Sequence, residues 1–259
     1  MLKKEKTPSP RMKIIPKLFL FFVLFSCAFW LIRTIDHGKI LRADLLDLGG
    51  IPWLYSAISL IFSILAAFTI QKEWEQWNNL VEANKGEVNA LRELWIWSDY
   101  LPIENQKEIV EGLIKYLLVI QQEWPGLEKD ESSEEEENRL DYLRNTIIGL
   151  SEKTNGILLL SLINDLIKNR NKRIFQSGSH IPPILKNTLI FADLLVIILS
   201  LFIGVKNPIL DYIFTLGIGV LAYTIYMVID DLDNPFRPGT WHLTPRNYQL
   251  LLDKINKIQ

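Results

Sequence analysis

Four apolar stretches, each near the length of a bilayer crossing, decide most of what this chain can become. A helix needs about 20 residues to cross roughly 30 Å of hydrocarbon. Leu18–Ile32, Ile51–Ile70, Thr188–Val205 and Ile209–Ile229 meet or approach that length. The first is short and spans if Lys17 and Arg33 snorkel to the two surfaces. The second is free of charge, with Trp53 and Tyr55 at one end and Trp74 and Trp77 past the other, where amphipathic rings sit in a bilayer. The third carries Asp193, near its cytoplasmic end, and the fourth enters through Pro208 and closes at Asp230-Asp231. A fifth run, Ile157–Ile167, is too short and holds Asn164 and Asp165, so it reads as a buried helix of a domain outside the membrane.

The rest of the composition agrees. A chain 49% hydrophobic and 22% charged, with mean hydropathy +0.14, keeps its two classes of residue in separate segments. That excludes a disordered or fibrous chain. A net charge of −2 leaves no global case for nucleic acid. The single cysteine, Cys27, cannot form an internal disulfide or a thiolate cluster. A basic leader before an apolar core also describes a secretory signal, and Leu24-Phe25-Ser26-Cys27 loosely resembles a lipobox. The apolar run continues past Cys27, however, and bulky Phe25 stands where a small residue is favoured, so a retained span is the better reading.

Lys and Arg near the spans set orientation. They gather in the leader (Lys3, Lys4, Lys6, Arg11, Lys13, Lys17), before the third span (Lys168, Arg170, Lys172, Arg173, Lys186) and in the tail (Arg237, Arg246, Lys254, Lys257). Only Lys206 lies between spans three and four. Both termini and the central segment are therefore expected on the cytoplasmic side of an inner membrane. The expected plan is an all-α membrane protein: a basic leader 1–17, spans one and two in 18–71, a cytoplasmic helical domain 72–187, spans three and four in 188–229, and a tail 230–259.

Within the insert, Trp74, Trp77, Val81, Val88, Leu91 and Trp95 keep a three-four spacing that continues the second span as a helix, with Asn84 in the seam or on a widened face beside Gly86. Pro102 starts a helix carrying Ile109, Leu113, Tyr116, Leu117, Ile120 and Trp124 on one stripe, and Pro125-Gly126 stops it. Residues 128–137 form an acidic loop, after which Ser133 with Glu136 reads as a capping box. The Lys168–Arg173 cluster either meets anionic headgroups or only sets topology.

Enzyme signatures are missing. His37, His180 and His242 are far apart, and no nucleophile signature, glycine-rich phosphate loop or metal-ligand spacing occurs, so no catalytic residue, cofactor or metal site is expected. Along span two, Ser56, Ser59, Ser63 and Ala66 make a small, partly polar row that either packs a neighbouring helix closely or lines a water-filled path. Span four has a similar row, Tyr212, Thr215, Gly219, Ala222, Tyr226 and Asp230, and the two could pack on each other. Asp193 is an intramembrane acid and needs an interior partner, a cavity or the headgroups. Asp230, Asp231 and Asp233 oppose the dipole at the end of span four. Arg237, the Lys168–Arg173 cluster or a bound cation would compensate them.

Leu232-Asp233-Asn234-Pro235-Phe236, followed by Gly239, resembles the signature of the bestrophin-like domain, a family of bacterial membrane proteins. Leu101-Pro102, and Tyr116 followed by Glu123-Trp124, resemble that family's central segment, and the similarity covers residues 50–259. The resemblance implies a homo-oligomer, a pentamer by analogy with the bestrophin channels, embedded in membrane lipid and passing inorganic anions through a pore lined by the second span. Ser56, Ser59, Ser63 and Ala66 are then the pore-facing candidates. Calcium-gated bestrophins carry acids after the Asn-Pro-Phe motif, whereas Arg237-Pro238-Gly239-Thr240 follows it here, which sets this chain apart from them. A non-conducting scaffold or signalling protein, whose cytoplasmic helices recruit a partner, is the alternative.

Overall fold

A computed structural model describes residues 11–36, 43–44, 50–129, 134–151 and 157–258. His37, Ser133 and the centre of the acidic loop lie outside them. The described chain is helical apart from one short strand pair: α1 (Arg11–Ile35), β1 (Ala43–Asp44), α2 (Ile51–Ser98), α3 (Ile103–Glu123), α4 (Glu134–Ser151), α5 (Ile157–Ser177), α6 (Pro183–Phe202), β2 (Ile203–Gly204), α7 (Pro208–Leu232) and α8 (Arg246–Ile258). Four helices are long and apolar enough to cross a membrane: α1 over Ile15–Ile35, α2, α6 and α7. The chain forms two compact units. The first takes residues up to Trp74 with Ile181–Asp233 and Pro238–Trp241. The second takes Glu75–His180, Asn234–Arg237 and His242 onward.

In the first unit, rings and small residues interlock. Phe25, Phe29, Phe62, Ala66, Leu189, Val196, Ala222 and Ile229 form its buried core. A Cβ at Gly219 of α7 would come within 3.0 Å of the Phe25 ring, so glycine lets α1 approach closely. Phe21 stacks on Tyr223 at 4.4 Å, and the hydroxyls of Ser26 and Tyr212 share a hydrogen bond of 2.9 Å. The small row of span four thus receives the phenyl rings of α1 rather than a matching row on span two.

The C-terminal end of α1 is where expectation and structure part. Arg33 does not snorkel. Its Nε donates to Asp211 Oδ2 at 2.9 Å, and its other nitrogens donate to the carbonyls of Leu201 at 2.8 Å and Ile203 at 3.1 Å. The guanidinium also lies 4.7 Å from the Phe29 ring centre. Asp211 in turn accepts from the Val205 N–H at 3.0 Å. This explains why the third span ends at Phe202 and not at Val205. Ile203 is extended, with φ −92° and ψ 133°, and pairs in parallel with Ala43 while Gly204 pairs with Asp44. Helix α7 then starts under the Asn207 side chain, which accepts from the N–H groups of Ile209 and Leu210, with Pro208 in its first turn.

In the second unit, α3, α4, α5 and α8 pack with the distal half of α2 around Leu80, Leu91, Leu94, Ile109, Leu113, Leu117, Leu143, Ile147, Leu166 and Ile255. The run Ile157–Ile167 lies within α5 and contributes Leu159, Ile163 and Leu166 to that core. The buried row of α2 here is Leu80, Ala83, Asn84, Glu87, Val88, Leu91, Leu94 and Ser98, which is offset from the expected seam: Trp74 is exposed and Asn84 is buried. Gly86 is small because the Asn169 carboxamide of α5 occupies the space a Cβ would need.

Removing one partner of a buried ion pair leaves the other charge uncompensated, at about 3–5 kcal/mol. Arg33→Ala is therefore expected to destabilise the protein by about that amount, and adding Asp211→Asn to recover a large part of it. Thermal unfolding in detergent, followed by circular dichroism, checks both; a double variant no better than Arg33→Ala would show that the carboxylate is not the source of the loss.

Candidate functional site

Span two carries the proposed row, and the structure divides it. Ala66 is buried and Ser59 half-buried, whereas Ser56 and Ser63 are exposed. The buried face of the membrane stretch is Phe62, Ala66, Thr69 and Glu73, so the serine row runs obliquely off its edge. Ser56 Oγ donates to the Pro52 carbonyl at 2.9 Å and Ser63 Oγ to the Ser59 carbonyl at 2.7 Å, each within its own helix, as serines on apolar helices do. Tyr55 and Ser56 also line a cleft of about 240 Å³ with Ser200, Asp211 and Thr215, beside the Arg33 clasp.

Asp193 is the eleventh residue of α6, well inside the helix, and it is only 6% exposed. Its Oδ1 is buried with no hydrogen-bond partner among the described residues. It lines a small cavity with Phe62, Lys186, Tyr226 and Asp230.

The acids closing span four are held one by one. Asp233, 4% exposed, accepts from the Ile181 N–H at 2.9 Å and from Lys186 Nζ at 2.7 Å. Lys186 also pairs with Asp230 at 3.6 Å. Asp231 accepts from the N–H groups of Thr240 at 2.7 Å and Trp241 at 3.4 Å, and a Cβ at Gly239 would overlap its carboxylate. Lys186 of α6 thus supplies charge to this cluster. No group of three or more carboxylates, histidines or cysteines among the described residues could hold a metal ion. The Asn-Pro-Phe motif folds with the second unit. The Asn234 carbonyl accepts from Arg237 N at 3.1 Å and the Pro235 carbonyl from Leu243 N at 2.8 Å, and the Phe236 ring meets Trp124 at 5.7 Å.

A buried charge network lies in the second unit where the sequence suggested a surface collar. Arg173, fully buried, donates to Glu87 at 2.7 Å and to Glu136 at 2.6 Å. Arg170 donates to Glu136 at 2.9 Å and pairs with Glu137, and the Tyr116 hydroxyl donates to Glu87 at 2.8 Å. Glu136, expected to close a capping box, is turned inward to these arginines. The signal was present in the spacing. Leu159, Ile163, Leu166, Arg170, Arg173 and Ser177 form one buried row of α5. Glu136, Leu140, Leu143, Ile147 and Leu150 form one of α4, and Glu87 sits in the buried row of α2. A charge in phase with an apolar stripe is a charge aimed at the core.

Burial opposes the charge on Arg173, yet Glu87 and Glu136 outweigh it and hold the guanidinium firmly protonated. Burial, reinforced by the negative charge of Glu87 and Glu136, pushes the Tyr116 hydroxyl well above its ordinary value, and burial with Glu87 does the same to Tyr248. A raised tyrosine loses its proton first in the unfolded chain, so its contribution is complete below about pH 10 and declines above it. Two of the eight tyrosines are therefore expected to resist titration at 295 nm in the folded protein until alkaline unfolding. Free titration of all eight in a folded sample would contradict the network.

Together these features define a class: an all-helical membrane protein with a four-helix transmembrane set and a helical unit whose core is pinned by buried charge. Residues 19–245 match the model of the family described as the Bestrophin-like domain, and the chain belongs to that family. No curated protein matches the sequence at a significant level. Among solved structures, three variants of a bacterial bestrophin homologue from Klebsiella pneumoniae share the fold. One covers 97% of this chain and 98% of its own at 14% identity, with a TM-score of 0.73. The other two cover 95% of this chain and 98% of theirs, each at 14% identity, with TM-scores of 0.73 and 0.74.

Proposed function

We propose that the chain assembles in the inner membrane as a ring of identical subunits, a pentamer by analogy, and passes inorganic anions passively along a pore lined by α2. In this reading both termini and the helical insert face the cytoplasm, which the distribution of Lys and Arg supports. The observation that carries the reading is the uncovered face of α2. In a single subunit Trp53, Leu60, Ile61, Ile64 and Phe68 are exposed beside Ser56 and Ser63 on a membrane-length helix. Apolar positions of that face suit neighbouring subunits and lipid; the hydroxyls suit water. Each serine proton rests on a carbonyl of its own helix. A hydroxyl that turns from carbonyl to passing anion binds it weakly and releases it easily, which conduction requires. Family membership supports the same reading.

Reconstitution into liposomes under a chloride gradient tests it. The expected result is flux above empty vesicles, with a reversal potential following the anion gradient. Ser63→Trp is expected to lower that flux at least tenfold while the oligomer on size exclusion is unchanged. No flux at any voltage, or a reversal potential that follows the cation, would overturn the proposal, and a monomer without flux would favour the scaffold reading.

A further inference from the structure

The second unit contains a cleft of about 250 Å³ lined by Lys85, Val88, Asn89 and Arg92 of α2 and by Asn247 and Leu250 of α8. No acid lines it. Five other cations of this unit have carboxylate partners: Arg170 with Glu136, Arg173 with Glu87, Lys172 with Glu82, Lys115 with Glu111 and Arg139 with Glu135. Lys85 and Arg92 have no ion-pair or hydrogen-bond partner among the described residues. They stand seven residues apart, two helical turns or roughly 10 Å of rise, with Asn89 between them on the same face. All three line the same cleft. From the facing side, α8 brings Asn247 in its first turn, where the helix dipole leaves positive partial charge. Tyr248, Leu251, Leu252 and Ile255 are buried and hold α8 in that orientation.

We propose that this cleft binds a soluble phosphate-class oxyanion. The donor set fits that chemistry. A guanidinium offers two parallel N–H groups to two oxygens of one tetrahedral anion, an ammonium supplies a compact second charge, and carboxamide N–H groups donate without opposing charge. Val88 and Leu250 form the apolar wall that limits the site to a compact group. Occupancy does not depend on whether the chain conducts, so the site and the channel reading stand or fall separately.

The test uses the full chain in nanodiscs of neutral phosphatidylcholine. Inorganic phosphate titrated by calorimetry is expected to bind saturably and more weakly at higher salt, as screening requires. The paired substitution Lys85→Ala with Arg92→Ala is expected to weaken binding at least tenfold. Arg92→Lys, which keeps the charge and loses the fork, should weaken it several-fold, and Lys168→Ala should leave it unchanged. Circular dichroism confirms that the variants remain folded. If phosphate does not bind, or binds indifferently to the paired substitution, the proposal is wrong.

Discussion

A guanidinium placed among apolar helices must have its donors answered, and Arg33 answers them in three places at once. One bond reaches the Asp211 carboxylate, and two reach the carbonyls of Leu201 and Ile203, where a helix has just ended. A helix terminus leaves carbonyls without partners, and in a low-dielectric setting that omission is costly. Arg33 satisfies them from another helix, and Asp211 supplies the matching negative charge while capturing the Val205 N–H. The clasp thereby settles where α6 stops, how α7 begins and where α1 is fastened. The aromatic packing of Phe21, Phe25 and Phe29 on α7 follows from that attachment.

The second unit solves the same physical problem with different chemistry. Three helices there each carry an apolar row with a charge in it, and the charges meet: Glu87, Glu136, Arg170 and Arg173, with Tyr116 donating to Glu87. Such a network stabilises little against a purely apolar core, but it penalises misalignment heavily, because a shift of one turn would strand a buried charge. It therefore fixes the register of α2, α4 and α5 more narrowly than leucines alone would.

Much of this architecture was legible in the sequence. Long uncharged runs announce spans, and a run interrupted by Asn164 and Asp165 announces something else; α5 became a core helix accordingly. Span limits were less legible, because they depend on partners far away in the chain. Arg33 looked like a flanking charge, and nothing local reveals Asp211, which is 178 positions distant. The serines of span two were visible as a row, but which of them face outward depends on the packing of Phe62, Ala66 and Thr69, which spacing alone does not weigh. Lys168–Arg173 looked like a collar because its charges are adjacent. Read in helical phase, two of them belong to the core and the others do not. Asp193 is visible in the sequence as an acid in a span, but the cavity it lines with Phe62, Lys186, Tyr226 and Asp230 depends on residues distant in the chain.

The lone thiol has a practical meaning. Cys27 is exposed on α1, about half a turn from buried Phe25 and Phe29, so it looks outward from the packed helices. A thiol attacks only as its thiolate, and a thiolate needs water. The speed at which Cys27 takes up an alkylating reagent therefore reports whether that side of the helix touches solvent, acyl chains or a neighbouring chain. With no other cysteine in the sequence to confuse the signal, the protein carries its own reporter of what surrounds its first helix.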